Sequence, residues 1–256
     1  MNIFKQFFKS LYSPKDIASF HSQKMGKTIL YIFLISILTT VPIVLNIHSI
    51  VNNFIGDTKD IIIDEVPNFH ITDYELQMDE SEPVTINADG VTLLFDNSKL
   101  MTEVDIEKNT IKFVKDGVIA DIDGTTDSFT YASLELNDIN KNTMVEILNL
   151  VDSSLPIITM IVFFIAYLIF TAGNFIKVSV LGLLSLILVS SFRLDLKYGN
   201  VWKISAYSIT LPITFFAIMN SFGATVPFGG AINWGVSLLM IFLALKELTK
   251  NTTDIA

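Results

Sequence analysis

Polar and apolar positions along the chain fall into long blocks. Thr28–Leu45 contains no charged residue, and its 18 residues would rise about 27 Å as a helix, close to the hydrocarbon thickness of a bilayer. Further apolar runs follow at Leu155–Ala172, Val178–Phe192, Ile204–Phe222 and Phe228–Leu245. The second and third are divided by Gly173-Asn174-Phe175-Ile176-Lys177, and the last two by the Gly/Pro-rich turn Gly223–Gly230. Between the first and second runs the period changes to two. Ile61–Asp64, Phe69–Gln77, Pro83–Asn87, Val91–Phe95, Thr110–Val114, Gly117–Ile122 and Ser128–Ala132 read as strands bounded by turn residues. Ala88-Asp89-Gly90 and Lys115-Asp116-Gly117 carry the Asp-Gly signature of tight hairpins. Asn137–Asp152 returns to helical spacing, with Met144, Ile147, Leu148 and Val151 on one stripe.

The pattern predicts a membrane protein, an α-helical bundle of about five apolar segments with an inserted, β-rich extracytoplasmic domain. Residues 1–27 form N-terminal helices, 28–48 the first transmembrane helix, and 51–152 the β-rich domain. Residues 155–245 supply three to four further apolar segments, and 246–256 a polar tail. At the start, Ile3, Phe4, Phe7, Phe8 and Leu11 recur at helical spacing, opposite Lys5, Gln6, Lys9 and Ser10. Such a helix suits an anionic membrane surface, or packing against the protein's own bundle. Ser13-Pro14-Lys15-Asp16 then restarts a helix, with Ser13 as N-cap and Pro14 at the first helical position.

Charge gives this pattern a direction. Val51–Asp152 holds 22 of the 26 Asp and Glu residues against six Lys, a regional charge of −16. Five Lys precede the first run, which places the N-terminus in the cytoplasm and the insert outside. The first run is too long for a cleaved signal peptide and no small-x-small site follows it in Asn46–Asn53, so it reads as an anchor. Five crossings, the count favoured here, would put Arg193–Lys203 and the Lys246/Lys250 tail outside, against the positive-inside bias. Four crossings, with Val178–Phe192 not spanning, would return both to the cytoplasm.

The acidic insert would be repelled by nucleic acid, so none is expected as a partner. There is no Cys, which excludes thiol catalysis and disulfides. The cores of the apolar runs, bounded as above, carry no Asp, Glu, Lys or Arg, which argues against ion-coupled carriers. Asn174, Asn220, Asn233, Tyr207, Ser208 and Thr210 read as hydrogen-bonding groups between helices.

Val118–Thr126, an apolar strand followed by Asp121-Ile122-Asp123-Gly124-Thr125, resembles the opening motif of haloacid-dehalogenase-like phosphatases. The resemblance implies a nucleophilic Asp121, an acid/base Asp123 and magnesium. That chemistry also needs a parallel α/β sheet, a fixing lysine and a second acidic motif, which the short insert does not offer. A β-turn is the simpler reading. Asp121, Asp123 and Asp127 also make a weak calcium candidate, three carboxylates within seven residues, although the spacing departs from the EF-hand loop. His21, His48 and His70 have no metal-ligand spacing, and no serine-hydrolase, zincin or P-loop string occurs. No catalytic residue and no cofactor is expected.

The order of features resembles domain of unknown function 1189, a family of bacterial membrane proteins. The likeness is carried by the N-terminal Phe/Lys helix with Tyr12-Ser13-Pro14-Lys15, the single span, the insert, and Trp202-Lys203-Ile204-Ser205-Ala206-Tyr207-Ser208 before Leu211-Pro212. Some members carry the label maltodextrin utilization protein, and the family is similar to Yip-type multispan proteins. The resemblance implies a multi-pass protein of the plasma membrane in bacteria of Gram-positive type. The expected function is non-enzymatic: presenting the outer β domain to a ligand or protein partner, with the lipid bilayer and a protein partner as contacts. A component of a transport system is the alternative.

Overall fold

The computed structural model describes residues 1–88 and 90–253, and divides them into two compact units. The first, Met1–Ser49 together with the chain from Ile157 on, is helical. The second, Ile50–Pro156, contains all the strands.

In the helical unit, α1 (Ile3–Tyr12) and α2 (Pro14–Ser19) meet at Ser13, whose Oγ accepts the Asp16 N–H at 3.3 Å with Pro14 at the first helical position. Lys9 and Asp16 form an ion pair of 3.2 Å across the joint. The Ser13 hydroxyl, and then Lys9, hold the Asp16 carboxyl below the usual carboxylate range. One 3₁₀ turn later, α3 (Met25–Asp64) begins, and it runs for 40 residues through Pro42. Helix α4 (Lys141–Ser191) is 51 residues long, followed by α5 (Tyr198–Ser208), α6 (Thr210–Ser221) and α7 (Gly229–Thr253). The break between α5 and α6 falls where Pro212 lacks the N–H that would bond the Ser208 carbonyl. Among the described residues, four helical stretches are long and apolar enough to cross a membrane: Met25–Asp64, Lys141–Ser191, Tyr198–Ser221 and Gly229–Lys250.

The second and third apolar runs are therefore parts of one helix. Gly173–Lys177, expected as a divider, is helical throughout. An isolated glycine costs a helix only about 1 kcal/mol, too little to end a long segment that contains no Pro at this point.

Contacts inside the helical unit fix the helix directions. His48 pairs with Thr159 at 2.8 Å and Asn174 donates to Ser36 at 2.9 Å, so α3 and α4 are antiparallel. Tyr31 meets Thr210 at 2.5 Å and Asn46 donates to the Asn220 carbonyl, so α3 and α6 run together. Lys177 meets Asn233, and Phe192 packs on Phe242, so α4 and α7 run together. The core includes Phe20, Tyr31, Trp202, Tyr207, Ile241 and Leu245, with the Tyr31 and Tyr207 rings 4.2 Å apart.

In helix α1 the expected polarity is partly reversed. Gln6 and Ser10 are buried, Gln6 between Gln23 (2.7 Å) and Tyr207 (3.2 Å), whereas Phe4 and Phe8 are exposed.

The inserted unit has two sheets. One contains β1 (Phe69–Thr72), β2 (Glu75–Met78) and β8 (Ile139–Asn140) in the order β2-β1-β8. The other runs β3 (Val84–Ala88), β4 (Val91–Asp96), β5 (Thr110–Val114), β6 (Gly117–Ile122), β7 (Thr125–Thr130) in that order. Every neighbouring pair is antiparallel except β4–β5. Ile62, Val66, Phe69, Ile71, Leu76, Ile86, Phe95 and Tyr131 form its core. Phe95 stacks on Phe113 with ring centres 4.6 Å apart.

Three sequence expectations are corrected. Ile61–Asp64 is the end of α3, where Lys141 donates to the Ile63 carbonyl and to that of Val66 just beyond the helix. Phe69–Gln77 is a hairpin rather than one strand, turning at Asp73 and Tyr74, both with positive φ (55° and 62°). The strand expected at Ser128–Ala132 spans Thr125–Thr130 instead. The Lys115-Asp116 connection does join two antiparallel strands, whereas Asp89 of the other Asp-Gly turn lies outside the described residues.

Candidate functional site

Two places were open to chemistry: the acidic turn after β6 and the polar groups among the apolar helices.

At the turn, Ile122 pairs with Thr125, leaving Asp123 and Gly124 as the two linking residues, with φ of 53° and 83°. Positive φ at both positions is the type I′ geometry that matches strand twist, and Asp-Gly is its preferred pair. Asp121 is buried, and its carboxylate accepts the Gly124 N–H and the Thr126 hydroxyl, each at 3.0 Å. The Asp123 N–H donates to Asn109 Oδ1 at 3.0 Å. Asp127 lies opposite Ala120, whereas Asp121 lies opposite Thr126. Successive residues of a strand point to opposite faces, so Asp121 and Asp127 leave the sheet on different sides. The structure therefore does not bring the three carboxylates together. Among the described residues no group of three His, Asp or Glu side chains is arranged to hold a metal. Strand β6 is antiparallel to both neighbours, unlike the parallel sheet that phosphatase chemistry on Asp121 and Asp123 would need. What the arrangement does is close a hairpin. At the other end of β6, Gly117 lets β7 approach closely, since a Cβ there would collide with the Phe129 backbone.

Among the helices, the polar side chains named from sequence divide. Tyr207, Thr210, Asn174 and Asn233 bridge elements, to Gln6, Tyr31, Ser36 and Lys177 respectively. Ser208 donates back to the Ile204 carbonyl of its own helix, and Asn220 contributes its backbone carbonyl to Asn46. None of the three histidines joins a metal-like group. His21 contacts the Ala18 carbonyl and His48 meets Thr159, while His70 lies in β1.

Sequence reasoning missed Lys177. Read as part of a connection, it is in fact inside α4, with Asn233 of α7 as hydrogen-bond partner and its ammonium 5.8 Å from the Trp234 ring centre. The signal was available. Nothing from Ala172 to Val178 is Pro, so the residues on both sides could continue one helix and carry the lysine with them.

Among the described residues the fold is thus a helical unit with four long apolar helical stretches, interrupted between α3 and α4 by a unit of two small sheets. The chain belongs to the family described as "Protein of unknown function (DUF1189)", whose profile matches residues 4–245. No curated protein and no solved structure matches it.

Proposed function

We propose that the chain is a multi-pass protein of the bacterial plasma membrane, crossing four times, with both ends in the cytoplasm and residues 51–152 outside. It acts without catalysis, by presenting the outer β domain to a protein partner or ligand. The observation that carries this reading is the agreement of helix direction with charge. With α3 and α5–α6 running one way and α4 and α7 the other, one end of the helical unit gathers the N-terminal lysines, Arg193, Lys197, Lys246 and Lys250. Asn200 and Lys203 bond the carbonyls of His21 and Gln23 there, at 3.1 and 3.0 Å. Four crossings put these basic groups inside and the −16 insert outside, which removes the conflict that five would create.

Protease added to intact cells tests the reading. Cleavage within residues 51–152, with Arg193–Lys203 protected, is expected; an insert resistant from outside but cut in inverted vesicles would refute it. The link to maltodextrin use comes from the label some family members carry, and unchanged sugar uptake in a deletion strain would remove it. Non-enzymatic action is tested by assaying the chain for magnesium-dependent phosphate release, where an activity lost in Asp121→Asn would contradict it.

A further inference from the structure

Strand β7 is an edge of the five-stranded sheet, paired only with β6, and all six of its residues are exposed. The two-residue turn before it fixes which way its backbone faces. Ile122 and Thr125 close that turn as a hydrogen-bonded pair, so Asp127 and Phe129 also bond to β6. Thr126, Ser128 and Thr130 therefore point their N–H and C=O groups away from the sheet. The Tyr131 N–H, which donates to the Asp116 carbonyl, continues the same alternation. Of the outward groups, the Thr130 carbonyl is taken by Leu134 and Ser133. The N–H and C=O of Thr126 and Ser128, and the N–H of Thr130, have no partner among the described residues.

The other sheet edges are less open. Leu76 of β2 donates outward to the Lys115 carbonyl at 2.8 Å, β8 is two residues long and runs into α4, and β3 begins behind Pro83. An edge is ordinarily protected by Lys, Pro or a bulge. Strand β7 has none of these, and its register with β6 is unbroken over six pairs. It is also held ready. The Thr126 hydroxyl is tied to Asp121 near its start and Tyr131 to Val114 just beyond its end, so an incoming strand need not order it.

Chemistry along the edge narrows the occupant. A row of unpaired backbone groups is matched by another extended chain rather than by a helix. Asp127 and Phe129, two residues apart, share a face. Asp127 is in no ion pair among the described residues, and Phe129 is half exposed. With the −16 of residues 51–152, this favours a segment carrying Lys or Arg. A second copy is less suited, because it would set another −16 against the first.

We propose that β7 is a docking edge that takes an extended, basic segment of a partner protein as a sixth strand, with a Lys or Arg facing Asp127 and an apolar side chain facing Phe129. The proposal rests on the reading that the β unit meets a protein partner, and names the surface and the chemistry that partner must have.

The test uses the full chain in detergent micelles and a dye-labelled peptide that alternates threonine with lysine and valine, read by fluorescence anisotropy. Methylating the peptide's backbone amides keeps its charge and side chains, and is expected to weaken binding at least about tenfold. Ser128→Pro, whose lost N–H is not used within the sheet, should do the same while the unit keeps its protease resistance. The methylated peptide needs no variant, so it decides even if that chain misfolds. Asp127→Lys should weaken the lysine peptide by up to about fivefold and strengthen its glutamate counterpart. Equal binding of the methylated peptide overturns the proposal, since charge alone would then suffice, as does a folded Ser128→Pro chain that binds like the parent. A chain that is dimeric in micelles but monomeric as Ser128→Pro would make a second copy the occupant, and overturns it too. Binding in micelles and on inverted vesicles, but not on intact cells, upholds the edge and refutes the outward placement; no binding in any of them refutes the edge alone.

Discussion

Both units meet some buried polar groups across elements, as Tyr31 with Thr210 and Tyr131 with Val114 do, but the helical unit also meets several within a single helix. In the helical unit, the buried hydroxyls of Ser36, Thr40, Ser185 and Ser208 each donate to the carbonyl four residues earlier, so the need is met within one helix. In the inserted unit, Tyr131 reaches across to the Val114 carbonyl at 3.0 Å, and buried Lys112 reaches the Asp105 carbonyl at 2.6 Å. Local satisfaction suits the proposed crossing of a membrane, because hydrocarbon holds no water to bond what the chain leaves over. Satisfaction between segments makes the β unit depend on its own packing, with no disulfide to assist it. The inserted unit should therefore be the more easily broken of the two. Both tryptophans, Trp202 and Trp234, lie in the helical unit, so their fluorescence reports on that unit separately.

The largest effect is expected from Phe95→Ala. Phe95 is buried, stacked on Phe113 and tilted against Phe69, and its truncation should cost the inserted unit about 3–5 kcal/mol. Residues 51–152 should be cut by protease faster than in the parent while tryptophan fluorescence stays as in the parent; a parallel change in fluorescence would show that the units are not separable. Gly124→Val comes next, since a side chain at φ +83° should cost roughly 1–2 kcal/mol, read by pulse proteolysis in urea.

Tyr131→Phe should lose about 1 kcal/mol with the bond to Val114. It also carries a pH signature. Burial, with Asp116 adding to it, pushes the Tyr131 hydroxyl above its ordinary value of 10.0. The stability it contributes is fully present below that value and is lost as pH rises beyond it, because the unfolded chain then releases a proton the folded one keeps. The parent should weaken in alkali more steeply than Tyr131→Phe. The smallest effect is expected in the helical unit. Ser36→Ala removes the acceptor for Asn174 and should cost about 0.6 kcal/mol, measured by unfolding in mixed micelles.

The same contrast explains what was legible from sequence. Long apolar runs and the charge blocks make the helical segments and the acidic insert readable, and Gly117–Ile122 and Thr110–Val114 show their alternation plainly. The turn at Asp73-Tyr74 was not readable, since neither residue is the glycine that usually marks paired positive φ, and Asn137, 64 residues away, supports it by accepting the Asp73 N–H. Ile61–Asp64 looks like a strand because three consecutive isoleucines suit either structure, and what decides is the helix already propagating from Met25. Lys177 was hidden by the assumption that a Gly-Asn pair ends a helix. The acidic turn was half legible: its hairpin role follows from Asp-Gly, but the opposite faces of Asp121 and Asp127 needed the strand register.

The number of crossings is tested most directly at the α4–α5 connection. The chain has no cysteine, so Lys197→Cys introduces a single label site. A membrane-impermeant maleimide should leave it unmodified in intact cells and modify it once the membrane is opened, while Asp79→Cys reacts from outside in both. Labelling of Lys197→Cys in intact cells would contradict four crossings with a cytoplasmic basic end.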